Sequence, residues 1–276
     1  MNFKYFDAHT HVNFAAFDGD REEVILRAKG AGVAMNVVGT QKDTSRSAVA
    51  LAEKYDHIYA TIGLHPIHTG KSYHDKQEIG DGGQEFVSRG EVFDVSYYNM
   101  LAKSQKVIAI GECGLDYYRC DESTKEVQKK AFVEHILLAN DLQKPLMLHI
   151  RASDGKDAYD DALEILKAHE KVKGDTHFFA GDWFVAKKFL DFGFALSFTG
   201  VLTFTHDYDK VVKNAPPDMI LSETDAPYVA PAPYRGQRNE PVYVVEVVKA
   251  IARIRGVAEE KVAEALFLNA KRIFKI

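Results

Sequence analysis

The stretch Phe6-Asp7-Ala8-His9-Thr10-His11 ends a short apolar run that begins at Phe3, close to the start of a chain of 276 residues. In an extended strand, residues two positions apart point to the same side, so His9 and His11 can reach one point in space. Two imidazoles held in this way suit zinc, manganese or another first-row divalent ion. A His-x-His pair is also an ordinary feature of strand ends at protein surfaces, so its interpretation depends on the rest of the chain.

The composition is that of a soluble globular protein, with 46% hydrophobic and 27% charged residues. No apolar run approaches the roughly 18 residues of a membrane helix, and no basic-then-apolar leader precedes Asp7, so we expect a cytoplasmic protein without membrane contact. Cys113 and Cys120 cannot form a disulfide framework and are expected to be free thiols. The net charge of −5 excludes a broad basic surface for duplex DNA, but it allows a local phosphate pocket.

Apolar runs rich in β-branched residues alternate with helical patterns along the whole chain. The predicted strands are residues 3–8, 33–38, 57–62, 106–110, 145–148, 176–179, 194–198 and 219–222. The predicted helices are residues 20–29, which begin with a capping box at Asp20 and Glu23, and residues 44–54, 123–141, 157–169, 182–191, 242–254 and 259–268. Residues 67–94 are polar and predict a long loop with one helical turn at most, either a functional lid or an insertion.

Eight strands alternating with helices predict a (β/α)8 TIM barrel that forms a single domain over residues 1–276. A doubly wound open sheet is the competing arrangement. The glycine fingerprint that such sheets use for dinucleotides does not follow the first strand, which favours the barrel.

Six side chains of metal-ligand type fall at or just past the end of a predicted strand. In a barrel these ends meet at one face, where barrel enzymes place their catalytic groups. Four imidazoles and two carboxylates can hold two divalent ions if one carboxylate, here Glu112, bridges them. Two such ions polarise a phosphoryl or carbonyl oxygen and lower the pKa of a shared water, which predicts hydrolysis. Asp225 is then predicted to bind a metal, to accept the proton of the water, or to do both. The six predicted ligands are His9, His11, Glu112, His149, His177 and Asp225.

Longer motifs surround these residues: Phe6 to His11, Gly63-Leu64-His65-Pro66, Ile110 to Tyr118, Leu148 to Arg151, Ser222 to Tyr228 and Arg235 to Pro241. Together they resemble the TatD-type metal-dependent deoxyribonucleases of the amidohydrolase superfamily. The resemblance implies a barrel, two divalent metals of the zinc, magnesium or manganese type, and hydrolysis of nucleic-acid phosphodiesters, often as a 3′ to 5′ exonuclease on single strands. It implies that His9, His11, Glu112 and Asp225 hold one ion, and that Glu112, His149 and His177 hold the other.

Several positions depart from the pattern of that family. The usual His-Cys-Phe-Ser/Thr-Gly run reads His177-Phe178-Phe179-Ala180-Gly181, an Arg-Asp-Ala run reads Arg151-Ala152-Ser153, and residues 72–94 form a longer segment than usual. All the ligands are kept, whereas a small polar side chain beside the pocket is lost. Metal-dependent hydrolysis therefore follows more directly than nuclease activity.

Three side chains are candidate substrate contacts. His65 lies at a predicted strand end, Arg151 lies two residues past His149, and Arg238 lies in the loop after the eighth strand, where barrels often bind phosphate. Each has a structural alternative: a turn histidine, a surface salt bridge and an ordinary charged loop, respectively.

Four further residues beside the motifs have weaker assignments. Asp116 and Glu223 are expected to be hydrogen-bond partners of the ligands rather than ligands themselves. Tyr117 and Tyr118 either stack on a base or pack at the barrel mouth.

Three functional hypotheses follow. The first is a two-metal phosphodiesterase acting on single-stranded DNA or a related phosphodiester, with Asp225 and Glu112 as catalytic residues. The second keeps the metals and hydrolyses a small amide, ester or lactone. The third, binding of metal or nucleic acid without turnover, has no chemical need for Asp225 beside the histidine pair. We expect no membrane contact and no obligate protein partner.

Overall fold

The computed structural model of the chain describes residues 3–70, 72–74, 86–88, 90–119, 122–153 and 157–276. Its main sheet has eight parallel strands that neighbour one another in chain order. The strands are β1 Tyr5–Thr10, β2 Val33–Val38, β3 Ile58–Ile62, β4 Val107–Asp116, β5 Leu146–Arg151, β6 Gly174–Thr176, β7 Ala195–Phe198 and β8 Ile220–Ser222.

Backbone hydrogen bonds join the last strand to the first. The His11 N–H donates to the carbonyl oxygen of Ala226 at 2.7 Å, and the Asp225 N–H donates to that of His9 at 2.9 Å. These bonds bring the ends of β1 and β8 together, so the sheet closes into a barrel. The (β/α)8 prediction is confirmed, and the open doubly wound sheet is excluded.

Each strand is followed by a helix that packs one apolar face against the barrel. In the second helix the buried positions are Ser45, Ala48, Val49 and Ala52, which is the spacing of an amphipathic helix. The helices are α1 Arg21–Gly30, α2 Lys42–Lys54, α3 Val95–Leu101, α4 Lys125–Leu142, α5 Asp157–His169, α6 Trp183–Phe192, α7 Asp209–Asn214 and α8 Val244–Arg255, followed by α9 Glu259–Phe274.

Short elements complete the connections. Single 3-10 turns occur at Ala15–Phe17, Pro66–Thr69, Glu122–Thr124, Gly200–Thr203, Pro217–Met219 and Pro241–Tyr243. Within the segment predicted as a loop, Ser72–His74 and Phe86–Ser88 pair as two antiparallel strands. Residues 71, 75–85 and 89 of that segment lie outside the described part of the chain, and the lid-or-insertion alternatives stay predictions.

The hydrophobic core has two parts, one between the strands and the outer helices and a smaller one that involves α9. In the smaller part, Phe6 of β1 and Phe274 of α9 have ring centroids 6.0 Å apart, and Ala34 and Ile108 come from the starts of β2 and β4. The last helix therefore covers the amino-terminal ends of the strands. It runs to Phe274, six residues beyond the predicted end at position 268.

The predicted cap of α1 and the predicted end of the sixth strand were wrong. Asp20 precedes α1, but its side chain does not cap the helix. Its two oxygens instead accept charge-assisted hydrogen bonds from Arg238 at 2.8 and 2.6 Å, which are stronger than a neutral cap. The sixth strand ends at Thr176, before His177, because the following Phe178 has a φ of 42°, outside the range of extended backbone.

The structure bears on two expectations from composition, the absence of a membrane helix and the free cysteines. Among the described residues, no helix is both long and apolar enough to cross a membrane. Cys113 is a buried free thiol, and Cys120 lies outside the described residues.

Candidate metal centre

The six predicted ligands meet at the carboxyl-terminal end of the barrel. His9 is in β1 and His11 follows it directly, Glu112 is in β4, and His149 is in β5. His177 comes directly after β6, and Asp225 comes three residues after β8. The carboxyl-terminal ends of five of the eight strands thus bring polar side chains together in a single cluster.

Glu112 lies at the centre of this cluster, with its two oxygens facing different neighbours. Glu112 Oε2 lies 3.5 Å from His9 Nε2 and 3.8 Å from His11 Nε2. Asp225 Oδ1 lies 3.6 Å from His9 Nε2 and 3.4 Å from His11 Nε2. The two imidazole nitrogens are themselves 3.0 Å apart. We call this group, which comprises His9, His11 and Asp225 around Oε2, the first half of the centre.

The other carboxylate oxygen faces three imidazoles, one in β5 and two in the segments that follow β3 and β6. Glu112 Oε1 lies 2.8 Å from His177 Nε2, 2.9 Å from His149 Nδ1 and 3.2 Å from His65 Nε2. We call His149, His177 and His65 around Oε1 the second half of the centre. A single buried carboxylate therefore connects both halves, as a bridging ligand would.

Acceptor oxygens lie on the far side of three rings, two of them within hydrogen-bond distance, and orient the rings for metal binding. His11 Nδ1 lies 3.0 Å from the carbonyl oxygen of Val38, and His149 Nε2 lies 3.1 Å from Asp116 Oδ2. His177 Nδ1 lies 3.5 Å from Glu223 Oε1. Since each of these acceptors favours a proton on the nitrogen that faces it, the other nitrogen of each ring turns a lone pair towards the cluster. Metal-binding histidines are typically oriented in this way.

The donor set fits divalent ions. Glu112 Oε2 is buried and has no hydrogen-bond partner among the described residues, although a buried carboxylate oxygen normally has one. Three overlapping sets place their ligand atoms within 4.8 Å of one another: His9 with His11 and Asp225, His9 with Glu112 and His177, and His65 with Glu112 and His149. Imidazole and carboxylate ligands suit zinc and manganese.

The two predicted partners of the ligands are themselves held by hydrogen bonds. Asp116 Oδ1 accepts hydrogen bonds from the N–H groups of Tyr118 at 3.0 Å and Arg119 at 2.8 Å. Glu223 accepts from the Phe178 N–H at 2.6 Å and from the Ser197 hydroxyl at 2.5 Å. Asp116 is thus confirmed as a hydrogen-bond partner of His149, and Glu223 contacts His177.

The charges of the cluster shift its pKa values in opposite directions. Burial would raise the pKa of Glu112, but His177, His65 and His9 outweigh it and hold this pKa well below its usual value. Burial lowers the pKa of His9 well below its usual value, and the neighbouring His177 adds to that shift. Burial also acts to lower the pKa of His177, yet Glu112 outweighs it and the pKa is raised.

The partner carboxylate Asp116 is strongly acidic. Burial would raise its pKa, but the hydrogen bond from His149 outweighs burial and lowers the pKa to about 2. Asp116 is therefore ionised at neutral pH and can hold the ring proton of His149.

A close backbone approach between β4 and β5 requires glycine. Gly114 has a φ of 137°, and a Cβ atom there would lie 2.2 Å from the carbonyl oxygen of His149. Any larger residue would push β5 away, and His149 would move from Glu112 with it. This steric requirement explains the glycine at position 114 of the motif Ile110 to Tyr118.

His135 is a buried histidine near the site that the sequence did not reveal. Its Nε2 accepts a hydrogen bond from the Leu64 N–H at 2.9 Å, and its Nδ1 lies 2.7 Å from the carbonyl oxygen of Ala131. Leu64 directly precedes His65, so α4 supports the loop that carries His65. The only local signal was a histidine on the buried face of an amphipathic helix, which is usual for packing as well.

His65 is held on both sides of its ring. Its Nδ1 accepts a hydrogen bond from the Ile67 N–H at 3.1 Å, so the neutral ring carries its proton on Nε2 and presents it to Glu112. Burial lowers the pKa of His65, and the neighbouring His149 adds to that shift, which favours this neutral form.

The two predicted arginine contacts have different surroundings. The Arg151 guanidinium lies over the ring of Tyr118, with Cζ 4.2 Å from the centroid. The Arg238 guanidinium donates to the carbonyl oxygen of Ala16 at 2.7 Å as well as to Asp20. These contacts occupy the donor fork of Arg238 and tie the loop after β8 to the segment that precedes α1, so its predicted contact with substrate competes with a structural role.

The two tyrosines of the same motif also differ. Tyr117 is buried, and its hydroxyl donates to Asp161 Oδ2 at 2.8 Å, which makes it a packing residue. Tyr118 is 62% exposed at the mouth of the barrel.

Comparison with known proteins places this geometry in one family. A family model described as TatD related DNase matches residues 6–275. The chain is 39% identical to the uncharacterized metal-dependent hydrolase YabD of Bacillus subtilis, with 98% of this chain and 99% of that protein covered. It is 30% identical to the 3'-5' ssDNA/RNA exonuclease TatD of Pectobacterium carotovorum, with 98% and 99% covered. The crystal structure of the TatD homologue YJJV of Escherichia coli superposes with a TM-score of 0.83 at 28% identity over the whole of both chains.

Proposed function

Since the chain belongs to the TatD-related DNase family and is a metal-dependent hydrolase, we propose that it hydrolyses phosphodiester bonds of single-stranded DNA as a 3′ to 5′ exonuclease. The proposal includes two divalent ions of the zinc, magnesium or manganese type, one in each half of the centre. It also includes the cytoplasmic location expected from the sequence.

The observation that carries the two-ion arrangement is the position of Glu112. Each of its oxygens faces a separate set of imidazoles, at 3.5 and 3.8 Å on one side and at 2.8, 2.9 and 3.2 Å on the other. A carboxylate that bound a single ion would need only one set of imidazoles beside it. Bound divalent ions would polarise the scissile phosphate and lower the pKa of the attacking water.

Asp225 is the proposed proton acceptor. Its side chain is 14% exposed, whereas that of Glu112 is 3% exposed, so Asp225 is the carboxylate that an incoming water and substrate can reach. Its φ of 55° and the hydrogen bond from its N–H to His9 fix its backbone against β1. The carboxylate is thereby held over His9 and His11, where it can take a proton from the nucleophile.

Substrate contacts are proposed for His65 and Arg151. His65 presents an N–H to the centre, and Arg151 has a guanidinium at the end of β5 that can meet a phosphate through its planar fork. Arg238 is also proposed to contact the substrate, in addition to its hydrogen bonds to Asp20. The choice of a nucleic acid rests on the name of the Pectobacterium relative.

The deciding experiment is turnover by purified protein supplemented with zinc, magnesium or manganese. Single-stranded DNA is assayed beside a small phosphodiester, an ester and a lactone. We expect metal-dependent release of nucleotides from the 3′ end of the DNA. Turnover of the ester or lactone without any of the DNA would reject the nuclease proposal in favour of a small-substrate hydrolase.

A further inference from the structure

We propose that three aromatic side chains around one side of the barrel mouth stack the bases of a single-stranded nucleic acid. Tyr118, Phe178 and Phe204 follow β4, β6 and β7, respectively, and we call them the aromatic rim. The proposal rests on the proposed function, because it concerns how the substrate of the same site is held.

Phe178 is the member of the rim beside the metal centre. It directly follows the ligand His177, and the two rings have centroids 6.4 Å apart with an interplanar angle of 87°. Its side chain is partly exposed. A φ of 42° is uncommon for a bulky residue, and such strain persists where the surroundings impose it. Here the Phe178 N–H donates a hydrogen bond to Glu223 Oε1 at 2.6 Å, which holds the backbone in this conformation.

The position of Phe178 is also where this chain departs from the family pattern. A small cysteine usually follows the histidine, whereas a large aromatic ring follows it here. A strained backbone and a partly exposed ring are both unfavourable for stability alone. A ring held rigidly next to the reacting centre is, in contrast, suited to contact with the nucleotide being cleaved.

Tyr118 and Phe204 each carry a guanidinium on one face. Tyr118 is 62% exposed and lies under Arg151. Phe204 is 46% exposed, and Arg235 Cζ lies 4.0 Å from the centroid of its ring. Arg235 is held by a hydrogen bond to the carbonyl oxygen of Ala230 at 2.9 Å, whereas the guanidinium of Arg151 has no hydrogen-bond or ion-pair partner within the described ranges.

This combination fits a single strand of nucleic acid. Every base has a face that can stack on an aromatic ring, and guanidinium groups beside the rings can meet the phosphates between bases. A duplex keeps its bases stacked inside the helix, so exposed rings cannot stack on them. The rim residues follow β4, β6 and β7, and the ligands His149 and His177 lie at the ends of β5 and β6 between them. A nucleic-acid strand bound along the rim would therefore lead to the metal centre.

The test compares two oligonucleotides of equal length, one of thymidine and one with abasic sugars throughout. Binding is measured by fluorescence anisotropy, and turnover is measured in the presence of manganese. The variants are Phe178→Ala, Phe204→Ala and Tyr118→Ala. Leu268→Ala, at an exposed position of α9 on the opposite side of the barrel, is the control. Circular dichroism and metal content confirm that each variant is folded and loaded.

We expect wild type to bind the thymidine strand more tightly than the abasic strand. Each rim variant should lose at least about 5-fold in affinity for the thymidine strand, because one stacked base contributes about 1 to 3 kcal/mol. Affinity for the abasic strand should not change, and Leu268→Ala should match wild type with both strands.

Each other outcome rejects a distinct statement. Equal affinity of wild type for both strands, or unchanged affinity of all three rim variants for the thymidine strand, overturns the aromatic rim and leaves the nuclease proposal intact. Binding that depends on the rim without cleavage at any metal concentration supports the rim and rejects the nuclease. Absence of both binding and cleavage rejects both.

Discussion

The two halves of the metal centre meet at Glu112 but are built differently. In the first half, His9 and His11 come from one strand, and the oxygen that faces them accepts no hydrogen bond among the described residues. In the second half, His149 lies in β5 and His177 directly follows β6, and each has a carboxylate behind its ring. A short motif thus supplies both imidazoles of the first half, whereas the imidazoles of the second half come from parts of the chain that are distant in sequence.

The largest effect is expected at the residue that both halves share. Glu112→Ala removes the carboxylate that, among the described residues, reaches both sets of imidazoles, so both ions should be lost and turnover should fall by about ten-thousand-fold or more. Elemental analysis of a fully loaded preparation checks the metal content. Glu164→Ala, on the outer helix α5, is the control. Equal metal content in wild type and Glu112→Ala would show that Glu112 is no bridge.

A change confined to the first half should affect the reaction more than the metal content. Asp225→Asn keeps an oxygen towards His9 and His11 but removes the charge and most of the basicity. General base catalysis typically contributes about a hundred- to ten-thousand-fold, so kcat should fall by that factor, about 3 to 5.5 kcal/mol of transition-state stabilisation. The assay is run at saturating metal with occupancy measured. A near-normal rate at full occupancy would assign proton transfer to another group.

A change confined to the second half should lower metal affinity there alone. Asp116→Asn removes the charge that holds the ring proton of His149, and loss of such a partner typically lowers metal affinity about 10- to 100-fold. Metal titration by calorimetry should reveal one weakened site and one unchanged site. The matched control is Asp161→Asn, whose carboxylate contacts Tyr117 outside the centre. Equal weakening of both sites would mean that the halves are not independent.

The smallest expected effect is a pH dependence of the support behind His65. Burial lowers the pKa of His135 to about 4, so its ring is neutral in the folded protein and takes up a proton in the unfolded chain near pH 6.5. Its contribution to stability is therefore complete above pH 6.5 and is lost as the pH falls towards 4.

Urea unfolding at pH 7 and pH 5 tests this expectation. Wild type should lose roughly 2 kcal/mol more than His135→Gln between these two pH values. Glutamine cannot be protonated, and its amide can still accept from Leu64. The same loss in both proteins would mean that His135 does not contribute to the acid sensitivity of the fold.

Predictions from the sequence were accurate where a pattern repeats over many residues. The structure has β2 and α5 at the predicted bounds of 33–38 and 157–169, because β2 is a nearly continuous apolar run that ends before Gly39 and α5 has the buried spacing of an amphipathic helix. Helices α3 and α7 were missed, since seven and six residues contain too few turns for a periodic signal. His135 was missed because a buried histidine in a helix looks the same whether it packs or supports a loop.

The sequence by itself determined the barrel and the positions of the six ligand-type residues, because strand periodicity and strand ends are encoded by residues a few positions apart. Only the tertiary structure decided which partner each side chain takes. Asp20 could cap its own helix, yet it binds Arg238, 218 residues away, and Glu112 meets imidazoles from strands on both sides of the barrel. Such choices depend on distances across the folded chain and on the strength of charged hydrogen bonds in a buried site, which no local pattern contains.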